Sequence, residues 1–382
     1  MTWSAAEAFE GVTESTLLIA ELCARIAASG PMTFRDFMEA ALYHPQHGYY
    51  ASHEAPMTRE GDYVTSPEVH PIFGALVARQ LRELWLTMGS PARFDIVEAG
   101  AGRGTLARDI LRAAEREPAF SSAMRYALVE RSALMCEQQR HIIGADDRVR
   151  QIDAMPDAIE GVILSNELLD AFPVHRVVVN GGALREVYVD HDGRAFRDVF
   201  GDLSDPAIAQ YFDDAGVFPA EGAYAEVNLE APRWIQTAAA GLNRGYVMTF
   251  DYGYEARDLY APWRRDGTLL CFYGQSASSD PYQRVGRQDL TSSVDLTALR
   301  RAGVSVGLQS IAMATQAEFL VRLGIGEAVG AAAGSSPRME EYFARRAIVL
   351  SLIDPGKLGR VRVLLQAKNA PNGTFTGFHD AE

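Results

Sequence analysis

The chain reads as an α/β protein, a Rossmann-like doubly wound sheet with a helical N-terminal extension and an inserted hairpin and helical region. Three observations predict this class. From Phe94 onward, short apolar runs alternate with helical stretches, the pattern of parallel strands joined by crossover helices. The first run ends on a glycine-rich turn, Glu98-Ala99-Gly100-Ala101-Gly102-Arg103-Gly104, and a helical pattern follows at once. Finally, 382 residues that are 48% hydrophobic suffice for a large core, in one elaborated domain or two.

Residues 15–29 place Leu18, Leu22 and Ile26 on one helical face, and Gly30-Pro31 stops that helix. Thr33 caps a second helix over 34–42, and 43–64 is loop-like. Ser66-Pro67-Glu68 reads as a helix start, with Ser66 at the cap and Pro67 at the first helical position; this helix is expected to reach about Met88. Strands are predicted at 94–98, 126–130, 149–153, 161–165 and 246–251, with helices over 106–117 and 132–142. Between the last two strands, 174–179 and 184–189 flank Asn180-Gly181-Gly182, a strong hairpin signal. Helices follow near 205–214 and 230–240. The tail predicts a strand at 304–311, helices near 315–329 and 337–350, and a strand at 361–366. The expected organisation is an extension over 1–75 that covers the cofactor site, a core over 76–368 with an insertion at about 174–243, and a frayed tail over 369–382.

The net charge is −14. So acidic a surface repels phosphate backbones, and no basic run offsets it, so nucleic acid is not expected as a partner. Cys23, Cys136 and Cys271 lie far apart with no Cys-x-x-Cys. They read as free thiols in a reducing compartment, with neither a metal site nor a disulfide scaffold. Residues 1–16 lack a basic region followed by an apolar stretch, and no Arg-rich leader is present. Apolar runs stop short of a membrane span. A cytoplasmic protein is expected, free of membrane; a homodimer is an assembly such a chain allows.

A dinucleotide fingerprint would be Gly-x-Gly-x-x-Gly, which needs glycine at 105; Thr105 stands there. Pyrophosphate binding loses support, and a nicotinamide oxidoreductase with it. A nucleoside without phosphate asks instead for close approach to backbone, which glycine permits. Glu98 ends the first strand beneath the loop. Glu130 ends the second, where a carboxylate can accept two bonds from a ribose diol. Asp153 ends the third, at the height of an adenine amine. Any one of these could be an acid that merely faces water. Together with the loop they suit a neutral-to-cationic adenosyl cofactor, S-adenosylmethionine.

Several motifs carry a resemblance. Gly61-Asp62-Tyr63-Val64-Thr65-Ser66-Pro67-Glu68-Val69, Phe73-Gly74, the 98–104 loop, Asn166-Glu167-Leu168-Leu169-Asp170-Ala171-Phe172-Pro173-Val174-His175, Asp251-Tyr252-Gly253-Tyr254 and 289–295 resemble the MidA family, which includes the mitochondrial complex I assembly methyltransferases. The motifs keep family order from about Gly30 to Gly303. The resemblance implies a seven-strand methyltransferase core, S-adenosylmethionine as donor and, for the mitochondrial members, arginine methylation of a respiratory-complex subunit. It also places Thr65, Ser66 and Asp62 at the donor's amino-acid end. Ala101 stands where the family loop usually has proline. Histidines common in the family near Gln275 and Ser293 are absent, a departure that bears on the acceptor rather than on methyl transfer.

Methyl transfer from a sulfonium is an in-line displacement that needs alignment and exclusion of water. A guanidinium acceptor stays protonated in water, so carboxylates must hold it and take up a proton as nitrogen attacks. Asn166 and Glu167 follow the fourth strand, Asp170 lies one helical turn beyond Asn166, and Glu68 sits in the 65–68 segment; these four are the catalytic candidates. Thr65, Ser66, Glu98, Gly100, Gly102, Gly104, Glu130, Asp153 and Asn166 are the donor-binding candidates. Glu226 and Asp251 are weaker ones. For Glu68 alone, an acid at a helix start is the ordinary reading; Tyr49, Tyr50 and Tyr63 read as packing or pocket residues, and His175 as structural. The expected function is methylation of a protein or peptide side chain. The alternatives are an O- or N-methyltransferase for a small molecule of secondary metabolism, and a non-catalytic assembly factor.

Overall fold

The computed structural model describes residues 15–51, 64–327 and 339–378. The chain divides into two compact units, one of 1–63, 171–229 and 260–292, the other of 64–170, 230–259 and 293–382. This differs from the expected boundaries. The excursion is joined by 260–292, while the helix Glu230–Gly241, expected inside it, belongs to the core unit.

The core unit is built on seven strands: β1 Phe94–Ala99, β2 Met124–Val129, β3 Val149–Ile152, β4 Ile159–Asn166, β5 Leu242–Asp251, β6 Gln309–Thr315 and β7 Arg362–Lys368. Their order is β6-β7-β5-β4-β1-β2-β3. β3, β2, β1, β4 and β5 run parallel; β7 is antiparallel to both β5 and β6. β1 is buried along its whole length, as an interior strand of a sheet covered on both faces must be. On one face Ile96, Leu128, Leu164, Met248 and Leu365 form a continuous core with Phe73, Leu76 and Leu81 of the helix Ile72–Thr87 and with Leu106 and Ile110 of the helix Thr105–Ala114. The sheet order reverses beside β1, so the loops after β1 and β4 open the rim where such folds take ligands.

Three expectations need correction here. The helix expected from Ser66 to about Met88 is two helices, Ser66–Val69 and Ile72–Thr87. His70 precedes proline and adopts an extended conformation, φ −167° and ψ 145°, because the ring of Pro71 disfavours a helical neighbour. Thr65, not Ser66, is the cap residue. The strand expected at 304–311 begins later, at Gln309. Asp295 accepts a bond from Ala298 N at 3.0 Å and starts the helix Leu296–Ser305, which takes in Val304 and Ser305 and is capped by Val306. The tail from 369 is not frayed over its described part. Phe375 and Phe378 are buried in the main core, and Gly377 N donates to Gln80 Oε1 at 3.0 Å.

The other unit holds the helices Thr16–Ser29, Phe34–Tyr43 and Ala207–Ala215, a five-stranded antiparallel sheet and a three-stranded one. The expected hairpin pairs His175–Asn180 with Ala183–His191. Its turn, Gly181-Gly182, has φ of 62° and 75°, the left-handed pair a two-residue hairpin loop requires. Leu18, Leu22, Phe34, Phe37, Val189 and Leu290 form its core.

Candidate active site

The glycine loop follows β1, and each of its glycines has left-handed backbone: φ is 67° at Gly100, 50° at Gly102 and 82° at Gly104. Their needs differ. A Cβ on Gly100 would lie 2.7 Å from Leu168 Cδ1, whereas one on Gly102 would meet nothing within 4 Å. Gly100 therefore lets the turn after β4 pack on the loop, and Gly102 keeps an open face. Gln139, buried and outside every motif, donates to Gly102 O at 2.7 Å.

Glu130 lies just past β2, and its carboxylate organises the loop. Oε2 accepts Gly102 N at 3.0 Å, and Oε1 accepts Arg131 N and Ser132 N, each at 2.9 Å. Burial pushes this acid up and the three backbone bonds pull it back. A carboxylate offers about four lone-pair sites, so acceptor capacity remains on Oε2. Asp153 is exposed just beyond β3. Glu98 is only 3% exposed and accepts the Tyr126 hydroxyl at 2.6 Å. Burial raises it to about 7.

Across the rim, β4 ends on Asn166. Glu167 then takes φ +49°, a conformation non-glycine residues hold only under local constraint. The constraint is visible. Glu167 N donates to Phe250 O at 2.8 Å, and Asp251, fully buried at the end of β5, accepts Leu168 N at 3.2 Å and Leu169 N at 2.8 Å. Asp251, a weak candidate in the sequence, is thus the post that shapes the 167–170 turn. Burial raises it to about 7 against those backbone bonds. Asp170 is buried in the same turn. Asn166 Nδ2 donates to Glu167 Oε1 at 3.1 Å, while Asn166 Oδ1 is buried with no partner among the described residues.

The short helix Ser66–Val69 joins the two sides. Ser66 N donates to Glu167 Oε1 at 3.1 Å, and Ser66 Oγ to buried Gln316 Oε1 at 2.8 Å. Gln316 Nε2 in turn donates to Leu352 O at 3.0 Å. Glu68 accepts Thr105 Oγ1 at 2.6 Å and lies 3.4 Å from an Arg103 amino group. Thr105, the residue that spoils a dinucleotide fingerprint, therefore ties this helix to the loop. Gln316 and Gln139 lie far from any motif, and only their glutamine side chains, buried against polar backbone, mark them.

The remaining candidates fall elsewhere. Asp62 and Tyr63 lie outside the described residues. Tyr49, Tyr50, His175 and Glu226 belong to the other unit. There Tyr50 donates to Asp289 at 2.9 Å, His175 Nδ1 meets buried Glu186 at 2.7 Å, and Glu226 accepts Thr268 N at 2.6 Å. Gln275 is an exposed residue at φ +63° just after the strand Leu270–Tyr273.

A seven-stranded sheet of this order, with an open glycine loop, strand-end acids and no phosphate cradle, defines a fold for an adenosyl donor. The donor set fits that group: open space at Gly102, acceptor capacity on Glu130 and the unpartnered Asn166 Oδ1. A profile of the S-adenosyl-L-methionine-dependent methyltransferase family matches residues 76–313, and the chain belongs to that family. It is 31% identical to a COG1565 superfamily member of Burkholderia thailandensis, named a likely methyl transferase, whose crystal structure holds S-adenosyl-homocysteine, with a TM-score of 0.87 over 95% of this chain and 94% of that one. Among curated proteins it is 30% identical over 324 residues to the mitochondrial protein arginine methyltransferase NDUFAF7 homolog of Drosophila melanogaster, covering 76% of this chain and 70% of the relative. It is 29% identical over 340 residues to mitochondrial NDUFAF7 of Mus musculus, covering 81% and 74%. The chain is an S-adenosylmethionine-dependent methyltransferase, as the motifs anticipated. The expectation of a cytoplasmic location is overturned, because these curated relatives are mitochondrial proteins by name.

Proposed function

We propose that the methyl acceptor is an arginine side chain of a protein. The observation that carries this reading is the acid-bearing turn at the end of β4. Glu167 is held at φ +49° beside Asn166 and Asp170, and Leu168 of the same turn packs on Gly100 of the donor loop. Carboxylates next to a donor are what a permanently charged guanidinium needs. The names of the Drosophila and mouse relatives, protein arginine methyltransferases, support the same reading.

In this proposal Gly100, Gly102, Gly104 and Glu130 hold the donor, with Asp153 at its adenine, Thr65 and Ser66 at its amino-acid end and Glu98 supporting the loop from below. Asn166 contributes its free Oδ1 to donor or acceptor. The guanidinium nitrogen attacks the methyl carbon, the carbon–sulfur bond breaks, and its electron pair stays on sulfur. Glu167 takes the proton the nitrogen sheds, and Asp170 adds negative charge. Glu68 acts through Thr105 and Arg103 by fixing the loop. A small-molecule acceptor is the second reading, favoured by the absence of histidine at Gln275 and Ser293.

The test is incubation of a protein extract with methyl-labelled donor, followed by hydrolysis and amino acid analysis. Label recovered as methylarginine is expected. Label in base-labile esters or only in small molecules would contradict the proposal.

A further inference from the structure

Tyr252 directly follows β5, one residue past the Asp251 post. Its backbone is fixed on both sides. Tyr252 N donates to Asp251 Oδ1 at 2.9 Å, and Tyr252 O accepts Val294 N at 2.7 Å. β5 pairs with β4 in the register Phe250 to Asn166, so Tyr252 stands on the same rim as the 167–170 turn. The side chain is half-buried, and its hydroxyl makes no hydrogen bond to any described residue. Negative charge surrounds it: Glu167, Asp170 and Asp251 all act on the phenol, which burial and these acids hold well above its ordinary value. It therefore stays neutral, an intact aromatic face set among carboxylates.

One cation already uses that face. The Arg360 guanidinium carbon lies 5.2 Å from the Tyr252 ring centroid. Arg360 ends the short turn Leu358–Arg360, where its backbone N donates to Lys357 O at 3.4 Å; its side chain is exposed and makes no hydrogen bond or ion pair with any described residue. An exposed arginine without polar partners keeps most of its rotamer freedom and is held by the ring alone. A neutral ring that takes a guanidinium, on the rim beside the acids that would deprotonate one, has the chemistry of an acceptor subsite.

We infer that Tyr252 is the platform on which the acceptor guanidinium lies, and that Arg360 occupies this place until an acceptor displaces it. The inference rests on the arginine reading of the acceptor, and it gives a role to Tyr252, a motif residue with none assigned so far, and to Arg360, which lies outside every motif. Arg360 would then tune acceptor affinity without touching the donor.

The experiment uses the full chain saturated with S-adenosylhomocysteine and labelled with ring-13C tyrosine. The Tyr252 signal is identified as the one missing from Tyr252→Phe. Ethylguanidinium, the end of an arginine side chain, is the probe. In Arg360→Ala the Tyr252 signal should shift saturably with the probe. In the wild type the same shift should need about fivefold or more probe, because the tethered guanidinium competes. S-adenosylhomocysteine affinity should be equal in both. No saturable shift in Arg360→Ala overturns the platform, and an equal response in both proteins overturns the role of Arg360. Failure of the arginine reading would show separately, as label recovered on another residue type while the Tyr252 shift persists.

Discussion

Gly102 illustrates how one residue carries two demands. Its φ of +50° disfavours any side chain, and a Cβ there would enter open space in front of the loop. Strain from the left-handed conformation is about 1–2 kcal/mol, too little to unfold a core of this size. The lost space matters more, since a branched side chain would fill the volume a donor needs. Gly102→Val should therefore fold with a circular dichroism spectrum like the wild type and lose S-adenosylhomocysteine binding in calorimetry. Unchanged affinity in a folded variant would remove Gly102 from the site. Glu98 makes a second demand visible at this scale. Burial raises it from its ordinary 4.5 to about 7. Between those values the unfolded chain has released the proton and the folded chain retains it. Stability thus falls as pH rises through this window and is level above it. Glu98→Gln keeps an acceptor for the Tyr126 hydroxyl and removes the titration. By denaturant unfolding, the variant should gain on the wild type from about pH 4.5 to 7, by on the order of 3 kcal/mol in all. A difference that does not change with pH would mean that Glu98 is ionised in the fold.

At the scale of elements, the sequence was legible where a single physical signal dominated. The five parallel strands announced themselves as short apolar runs, and Gly181-Gly182 announced its hairpin. Misreadings arose where two signals competed. Val304-Ser305-Val306 alternates like a strand, but the Asp295 cap had already committed these residues to the end of a helix or just past it. The helix from Ser66 breaks at His70 because a proline acts on the residue before it. Polar composition made residues 369–378 look frayed, yet two phenylalanines dock them. Phe375 packs 5.7 Å from the Tyr246 ring and Phe378 5.3 Å from the Phe319 ring. Phe375→Ala should cost about 3–5 kcal/mol by chemical denaturation. A cost below about 1 kcal/mol would restore the frayed description. In the candidate site, the glycine loop and Glu167 could be read from motifs. Gln139 and Gln316 could not, and Tyr252 stood in a motif without a role, because what these residues do comes from contacts with residues distant in sequence.

At the scale of the whole molecule, the charge of −14 and the chemistry of the site agree. An acidic protein draws cationic partners, and the rim around β4 and β5 offers acids to a cation. The segment Ser66–Val69 connects this rim to the glycine loop through Glu167 and Thr105 and is anchored by Gln316, so the 167–170 turn and the loop share one hydrogen-bonded frame. Within that frame Glu167 is assigned the acceptor and not the donor, and its replacement separates the two. Glu167→Gln keeps the size of the side chain and an acceptor for Ser66 N. The decisive measurement is the single-turnover methyl-transfer rate of Glu167→Gln, with donor affinity measured on the same protein and the acceptor found by labelling. The account predicts donor affinity within about twofold of wild type and a rate lower by about 100-fold or more, the scale of a lost general base; a rate equal to wild type would contradict it.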